Sequence, residues 1–232
     1  MKFKLSRQIL TSEINKIILR ERRKQKLSVS KATKENMREI QEVSKIIEEK
    51  GLPDYLVRRK LPGKLGYGIF LHPKAKPIEK GQVIACYSGQ VLFAPQNDPL
   101  EGSYAFTPIE NIVLKKGEHP LFDKMRKYHP RRLYSMFVDA KKTGNFTRFI
   151  NHSDKPNVSA HLYTIPSNSF GLLPSPIEVV YFAKKTIRPG EQLLVCYEDE
   201  EKAYWGSLKI KPFPMTPKTF QLTSSLKLVK LA

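Results

Sequence analysis

The sequence predicts a mainly β protein that is preceded by a helical N-terminal segment, and three observations carry this prediction. Residues 1–52 show the three- and four-residue apolar spacing of amphipathic helices. From Leu56 onward the chain consists of short runs rich in Val, Ile, Tyr and Phe, which Gly and Pro separate. An apolar content of 40% in 232 residues suffices for a packed core. We therefore divide the chain into N-terminal basic amphipathic helices (1–52), a β domain (53–205) and a basic, Pro-containing C-terminal arm (206–232).

The N-terminal segment holds two predicted helices. The first spans residues 3–26, and its apolar stripe is made of Phe3, Leu10, Ile14, Ile17 and Ile18. The second begins after a cap at Ser30 or Thr33 and ends at Gly51 and Pro53. Its predicted buried face consists of Met37, Ile40, Val43, Ile46 and Ile47. Both helices carry their charges away from the apolar stripe, as surface helices do.

The β runs follow in order, and no stretch with helical periodicity separates them before Tyr197. They span residues 55–60, 67–72, 82–93, 103–109, 133–140, 146–150, 159–165, 178–183 and 191–197. The connection over about 93–135 is long for a compact domain and is basic, which predicts an insertion used in recognition. The C-terminal arm leaves two alternatives open, a packed arm and a disordered tail.

The net charge of +19 is concentrated outside the centre of the chain. Residues 1–50 carry 14 Lys and Arg against 7 acidic side chains, residues 111–133 carry 7 against 2, and residues 207–232 carry 5 against none. Such positive segments attract polyanions, most simply nucleic acid or an acidic surface. The alternative is a set of solvated faces that keep the protein soluble, and this alternative also holds for the basic run at residues 20–26.

The two cysteines exclude a disulfide framework and a cysteine-rich zinc site. Cys86 and Cys196 lie far apart, each in an apolar run, and we expect two buried, reduced thiols in a reducing compartment. No apolar stretch approaches the roughly 20 residues of a membrane span, and no secretory signal of the usual pattern begins the sequence. We therefore expect a soluble protein that contacts no membrane.

Four separated motifs point to a family. They read KLGYGIF (64–70), CYSGQVL (86–92), GNFTRFINHSDKPN (144–157) and RPGEQLLVCYE (188–198). In this order they resemble the SET-domain protein lysine methyltransferases, over residues 56–205. The resemblance implies the SET fold, in which several small β-sheets are joined by a pseudoknot. It also implies a cofactor, S-adenosyl-L-methionine, and transfer of its methyl group to a lysine amine.

Departures from the family pattern refine the resemblance. Family members often have Cys where this chain has Asp154, and the turn of the second motif ends in Gln90. The zinc-binding cysteines that flank many members are absent, so no metal is expected. With the aromatic pair Tyr204 and Trp205, the chain looks most similar to the zinc-free SET proteins of chlamydia-like bacteria.

The resemblance assigns roles to ten residues. Tyr197 is the expected catalytic residue, and Tyr104 and Val195 are expected to line the substrate channel. The expected cofactor-binding residues are Gly66, Tyr67, Gly68, Arg148, Asn151, His152 and Trp205. Plain core packing is the alternative for Tyr104 and for Trp205. Because family members usually carry Phe or Tyr at the position of Val195, we expect a roomier pocket and more than monomethylation.

The chemistry explains why such a site must be dry. A lysine amine of pKa ~10.4 is mostly protonated near neutral pH, and the neutral nucleophile costs roughly 4 kcal/mol. A narrow apolar channel beside a sulfonium disfavours the ammonium by desolvation and by like-charge repulsion. The chain therefore needs to supply position and dehydration more than acid or base catalysis.

Two functions follow from these observations. The first is an S-adenosylmethionine-dependent lysine methyltransferase acting on histones or histone-like DNA-bound proteins, with DNA contacts through the basic segments. The second is a non-enzymatic nucleic-acid or chromatin-binding protein with a degenerate SET scaffold. We expect it in the bacterial cytoplasm or, after secretion, in a host cell nucleus, and the N-terminal helices could form a homodimer.

Overall fold

The computed structural model describes most of the chain, in two compact units. The described residues are 3–4, 12–25, 30–95, 104–118, 120–128, 133–164, 178–197 and 213–231. Unit 1 comprises Met1–Met37, Tyr87–Asn145 and Leu162–Val179. Unit 2 comprises Arg38–Cys86, Phe146–His161 and Val180–Ala232.

Short strands dominate the described residues, as the sequence predicts. The strands are β1 (Phe3–Lys4), β2 (Ser30–Lys31), β3 (Leu56–Lys60), β4 (Tyr67–Leu71), β5 (Val83–Cys86), β6 (Gln90–Pro95), β7 (Ala105–Ile112), β8 (Tyr134–Asp139), β9 (Asn151–His152), β10 (Val158–Thr164), β11 (Glu178–Ala183), β12 (Leu194–Val195), β13 (Phe220–Leu222) and β14 (Leu228–Lys230). The helices are α1 (Ser12–Lys24), α2 (Lys34–Lys50) and α3 (Pro120–Tyr128), with a 3-10 helix at Phe146–Phe149.

Unit 1 is built on an antiparallel sheet in the order β1-β6-β8-β7. Its core includes Phe93, Ile112, Phe122, Met125 and Met136, each with no more than 1% exposure. Helix α1 belongs to this unit, because Ile17 joins the same core.

Polar contacts also join α1 to the basic insertion of unit 1. The buried Arg22 guanidinium donates to the Pro108 carbonyl, and Arg20 forms an ion pair with Glu118. The Gln25 side chain donates to the Glu110 carbonyl at 2.7 Å. The N-terminal helix and the insertion are therefore packed together, although about 85 residues separate the partners of two of these bonds in the chain.

Unit 2 contains most of a second sheet, in the order β5-β11-β10-β12-β9. Two hairpins, β3–β4 and β13–β14, complete the unit. Its core is formed by Val57, Leu61, Phe70, Leu194, Met215, Phe220 and Leu222. Since β13 supplies two of these side chains, the described part of the C-terminal arm (213–231) is packed, which decides between the two alternatives for those residues.

The helix predictions are partly confirmed. Helix α2 has the expected bounds: the Asn36 amide donates to the Thr33 hydroxyl oxygen at 3.1 Å, and Gly51 follows the helix at φ 73°. The first prediction was wrong at its start, because residues 3–4 pair with β6 and α1 begins at Ser12. Of the stripe predicted for that helix, Ile17 is the one member whose side chain falls within the described part, and it is buried.

Three further expectations need correction. Helix α3 lies inside the insertion, where no helix was predicted; its Pro120 start, its basic last turn and its buried Phe122 and Met125 are local signals within only nine residues. Residues 146–149 form a 3-10 helix and not a strand, with an Ile150 amide bond to the Thr147 carbonyl at 3.0 Å. The two cysteines were expected to be buried, but Cys196 is exposed and Cys86 is half-buried.

Candidate active site

Parallel pairing of β9 with β12 brings two distant motifs together in unit 2. Asn151 lies opposite Leu194, and His152 lies opposite Val195. Each strand has only two residues, so the register is short and is fixed by these two pairs. The pairing places Tyr197, two residues after Val195, beside His152.

Tyr197 is held at three points. Its ring centroid lies 5.5 Å from that of His152, at an interplanar angle of 59°. Its amide donates to His152 Nδ1 at 3.2 Å, and its hydroxyl donates to the Ile150 carbonyl at 2.9 Å. Because the phenol proton points at Ile150, the oxygen lone pairs remain able to accept an N–H from an incoming amine. This arrangement suits a residue that orients a nucleophile.

The glycine motif of β4 contacts the same segment. The Asn151 side chain donates from Nδ2 to the Tyr67 carbonyl at 2.8 Å. Gly66 has φ 72°, and among the described residues no heavy atom beyond its chain neighbours lies within 4 Å of the place where its Cβ would stand. Tyr67 is 44% exposed. The structure thus joins Tyr67 to Asn151, and the space beside Gly66 is open on the side where a Cβ would stand.

Gly68 has a packing role that sequence reasoning did not foresee. A Cβ at Gly68 would lie 2.7 Å from Nε2 of Gln192, a side chain with 0% exposure. The absence of a side chain at Gly68 therefore makes room for the Gln192 carboxamide. A role for Gly68 in cofactor binding stays a prediction.

Arg148 and Arg58 lie against the aromatic rings of Phe149 and Tyr67. Its guanidinium carbon is 4.8 Å from the Phe149 ring centroid, and that of Arg58 is 5.2 Å from the same centroid. Arg58 is also 5.1 Å from the Tyr67 centroid, and the two rings meet edge to face at 5.8 Å. Both guanidinium groups therefore lie near the open glycine motif, where a ligand carboxylate would be attracted.

Asn157, the last residue of the third motif, received no role from the sequence. It is fully buried; its Nδ2 donates to the Gln192 carbonyl at 2.9 Å, and its Oδ1 accepts the Leu194 amide at 2.8 Å. Asn157 thus ties the third motif to the fourth at the start of β12. The signal that could have identified it is an Asn directly before an apolar strand, since a buried amide must bond on both sides.

The roles predicted for three further residues stay predictions. Tyr104 belongs to unit 1, where its ring is exposed and its carbonyl accepts the Tyr87 hydroxyl at 2.5 Å. Val195 lies in β12 at 2% exposure. Trp205 lies outside the described residues. A channel formed by Tyr104 and Val195 therefore stays a prediction.

Two negative findings apply to the described ranges. Within them, no group of three or more His, Cys, Asp and Glu side chains is arranged to hold a metal ion. None of the helices in this part of the chain has the length and apolar content that a membrane crossing needs.

Known proteins share this fold. A sequence profile of the family described as "SET domain" matches residues 66–198. The chain is 28% identical over 143 residues to histone-lysine N-methyltransferase, H3 lysine-9 specific SUVH1 of Nicotiana tabacum, covering 59% of this chain and 19% of that protein. It is 31% identical over 121 residues to histone-lysine N-methyltransferase SETMAR of Rattus norvegicus, covering 52% and 33%. The chain thus spans a third or less of each of these two relatives.

A solved structure agrees with the fold. The structure of ATXR5 in complex with histone H3.1 superposes with a TM-score of 0.53 at 17% identity, covering 76% of this chain and 72% of that one. The matched profile spans more than half of the 232 residues. It also contains both strands, β9 and β12, that position Tyr197. The chain therefore belongs to the SET-domain family.

Proposed function

We propose that this chain is a protein-lysine N-methyltransferase that uses S-adenosyl-L-methionine and acts on histones or histone-like DNA-bound proteins. The observation that carries the proposal is the contact of Tyr197 with the strand that holds Asn151 and His152. Two relatives that are named histone-lysine N-methyltransferases support the same reaction class.

The residues present fit the cofactor. The backbone at Gly66 and Tyr67 is open on the side where a Cβ would stand at Gly66, and Asn151 holds the Tyr67 carbonyl. These residues, with Arg148 and His152, would hold the cofactor, and Arg148 offers a positive charge to its carboxylate. When bound, S-adenosyl-L-methionine supplies a methyl group activated on a positively charged sulfur. Trp205 is proposed to cover the adenine, as aromatic faces do for bases.

The chain's own groups then position the target amine. The Tyr197 oxygen accepts an N–H of the lysine, because its own proton is donated to the Ile150 carbonyl. His152 fixes the main chain of Tyr197, so the phenol does not have to be ordered when substrate arrives. Exclusion of water by a channel that includes Tyr104 and Val195 would favour the neutral amine. The lysine ammonium releases its proton to solvent water before methyl transfer, and position accounts for the remaining acceleration.

The charge of the protein restricts the substrate. A protein of net charge +19 repels an isolated lysine-rich peptide, so the target lysine should be met on DNA or beside acidic residues. Exposed Lys16, Arg23 and Lys24 on α1 provide a basic face for DNA phosphates. Histones and histone-like proteins satisfy this condition.

Labelled cofactor tests the proposal directly. The full chain is incubated with labelled S-adenosyl-L-methionine and with free histones, nucleosomes and bacterial histone-like proteins on DNA, and the modified lysine is mapped by mass spectrometry. We expect transfer that is stronger on the DNA-bound substrates and is lost in Tyr197→Phe. Label on the enzyme's own lysines is separated by electrophoresis. Transfer to no substrate, with no binding of the cofactor product, would refute the proposal.

The charge also favours a second candidate, a non-enzymatic nucleic-acid or chromatin-binding protein. In that case Tyr197→Phe changes nothing measurable and S-adenosylhomocysteine does not bind, while DNA affinity falls steeply with salt. A methyltransferase instead loses activity in Tyr197→Phe and binds S-adenosylhomocysteine. Binding of S-adenosylhomocysteine by calorimetry therefore separates the two functions without a substrate.

The cellular setting is a further part of the proposal. We propose a bacterial protein, similar to those of chlamydia-like bacteria, that acts in the bacterial cytoplasm or in a host cell nucleus. Its N-terminal helices are proposed to form a homodimer. Because Ile17 packs into unit 1, such a dimer would use another face of the first of these helices. Light scattering over a concentration series tests the dimer, and fractionation of producing cells tests the location.

A further inference from the structure

We infer that Asp154 is a positioning residue, which fixes the imidazole of His152 in the tautomer that holds the main chain of Tyr197. The consequence for turnover rests on the proposed function, whereas the effect on the imidazole does not. Asp154 is one of the positions at which the chain departs from the family pattern, since members of the family often carry Cys there.

Three residues form a continuous chain of hydrogen bonds. The Tyr197 amide donates to His152 Nδ1 at 3.2 Å. On the opposite side of the ring, His152 Nε2 lies 3.1 Å from Oδ1 of Asp154. Both distances are within the range of N–H···N and N–H···O bonds. The imidazole therefore connects the carboxylate of Asp154 to the backbone of Tyr197.

The donors and acceptors determine the tautomer. A backbone amide can only donate, so the contact with Tyr197 forms only while Nδ1 is unprotonated and accepts. In a neutral imidazole the proton then lies on Nε2, where it points at the carboxylate, which accepts. The opposite tautomer would turn both contacts into repulsive ones, donor against donor at Nδ1 and lone pair against lone pair at Nε2. Asp154 thus selects the form of the ring that Tyr197 requires.

The burial of the two partners supports this role. The His152 side chain is 5% exposed, so its orientation is costly to change once Nε2 has its partner. The Asp154 side chain is 82% exposed, so its carboxylate keeps most of its hydration while one oxygen accepts the bond. A charged acceptor on a neutral N–H is stronger than a neutral one. An exposed carboxylate therefore orients the buried imidazole of His152, and the cost of burying a charge is avoided.

The variants Asp154→Ala and Asp154→Asn test whether the effect of Asp154 on His152 comes from its hydrogen-bond acceptor or from its size and charge. Alanine removes the acceptor, whereas asparagine keeps an oxygen that can accept from Nε2. Asp54→Ala is the matched control, because it removes an exposed carboxylate of the same unit that bonds Lys50 and no histidine. Since Asp154 is mostly exposed, all three variants should fold, and thermal unfolding checks this.

The first measurement is the ¹⁵N NMR spectrum of the histidine side chains in the full chain, near neutral pH. The His152 signals are identified by their loss in His152→Gln. We expect Nδ1 unprotonated and Nε2 protonated in the wild type, in Asp154→Asn and in Asp54→Ala, and a mixture of tautomers in Asp154→Ala. Unchanged His152 shifts in Asp154→Ala would overturn the inference.

The second measurement is turnover and cofactor binding. We expect Asp154→Ala to lower kcat about three- to tenfold, the scale of one typical hydrogen bond, because the carboxylate is mostly exposed, and to leave the Kd for S-adenosylhomocysteine within about twofold. Asp154→Asn should restore kcat to within about twofold of the wild type, and Asp54→Ala should match the wild type. Equal kcat in all variants would overturn the inference that Asp154 contributes to turnover. If the wild type itself transfers no methyl, the proposed function fails, and the NMR result still decides whether Asp154 positions His152.

Discussion

Replacing Asn157 with alanine should be among the most destabilising single changes in unit 2. The Asn157 side chain has 0% exposure and forms two bonds, to the Gln192 carbonyl at 2.9 Å and from the Leu194 amide at 2.8 Å. Alanine removes both bonds and leaves one buried carbonyl and one buried amide without these partners. The variant keeps the main-chain hydrogen bonds of residue 157, so the loss of stability comes from the side chain.

The magnitude follows from the two orphaned groups. Each buried polar group that loses its partner costs about 1–3 kcal/mol, so the sum is about 2–6 kcal/mol and we expect a decrease of about 4 kcal/mol in the free energy of unfolding. For a chain of this size each kcal/mol lowers Tm by about 2–4 °C, which gives a decrease of about 8–16 °C. The substitution should also disturb the site, because Leu194 begins β12, and the pairing of β12 with β9 places Tyr197 beside His152.

Urea denaturation followed by circular dichroism measures the change, with thermal unfolding as a second probe. Asn36→Ala is the control: its side chain accepts the Thr33 hydroxyl at 2.8 Å at the exposed start of α2, and it should cost less than about 1 kcal/mol. If Asn157→Ala is no more destabilising than Asn36→Ala, the inference that Asn157 ties the two motifs together is wrong.

Four other predictions follow from the structure. Tyr197→Phe removes the hydroxyl bond to the Ile150 carbonyl and should lower kcat about 100-fold, with Kd for S-adenosylhomocysteine within threefold by calorimetry; wild-type kcat would contradict this role. Val195→Phe should shift the product from higher methylation states towards monomethyl-lysine in mass spectra, and strictly monomethyl product from the wild type would contradict the roomier pocket. Gly190→Ala should destabilise the protein by about 2–4 kcal/mol in urea denaturation, because Gly190 has φ 84° and its Cβ would lie 2.7 Å from the Leu222 carbonyl oxygen. Burial raises the pKa of Glu178 to about 8 from the usual 4.5; the folded state therefore holds a proton that the unfolded state releases, and stability should fall as pH rises between these values. Glu178→Gln should flatten that fall in Tm measured against pH, and an unchanged pH profile would contradict it.

The elements that the sequence predicted well are those fixed by neighbours in the chain. Helix α2 has a Thr33 cap, a regular apolar face and a terminal Gly51, all within 19 residues. Most β runs were found for the same reason, since β-branched and aromatic residues between Gly and Pro are local signals. The motifs also predict that Tyr197, Asn151 and His152 share one site; the pairing of β9 with β12 brings the three residues close together, and their roles stay predictions.

The features that sequence reasoning missed depend on partners far away in the chain. Residues 146–150 read as a strand, yet they turn into a 3-10 helix before β9, where the chain reaches β12. The role of Gly68 depends on Gln192, more than 120 residues later. The buried state of Asn157 likewise follows from β12. Apart from the position of Asn157 directly before an apolar strand, no local pattern predicts these features, because they depend on contacts set by the tertiary fold.

The packing of α1 against the basic insertion has a consequence for the evolution of this protein. Arg22 and Gln25 reach main-chain carbonyls of β7, so these contacts depend on the path of the insertion more than on its side chains. These two hydrogen bonds therefore require no particular side chain at residues 108 and 110, but a change in the length of the insertion would move the carbonyls away from Arg22 and Gln25. Helix α1 and the insertion should therefore change together in evolution. A chimaera that exchanges only one of them with a relative should be insoluble, whereas exchange of both should give a soluble protein.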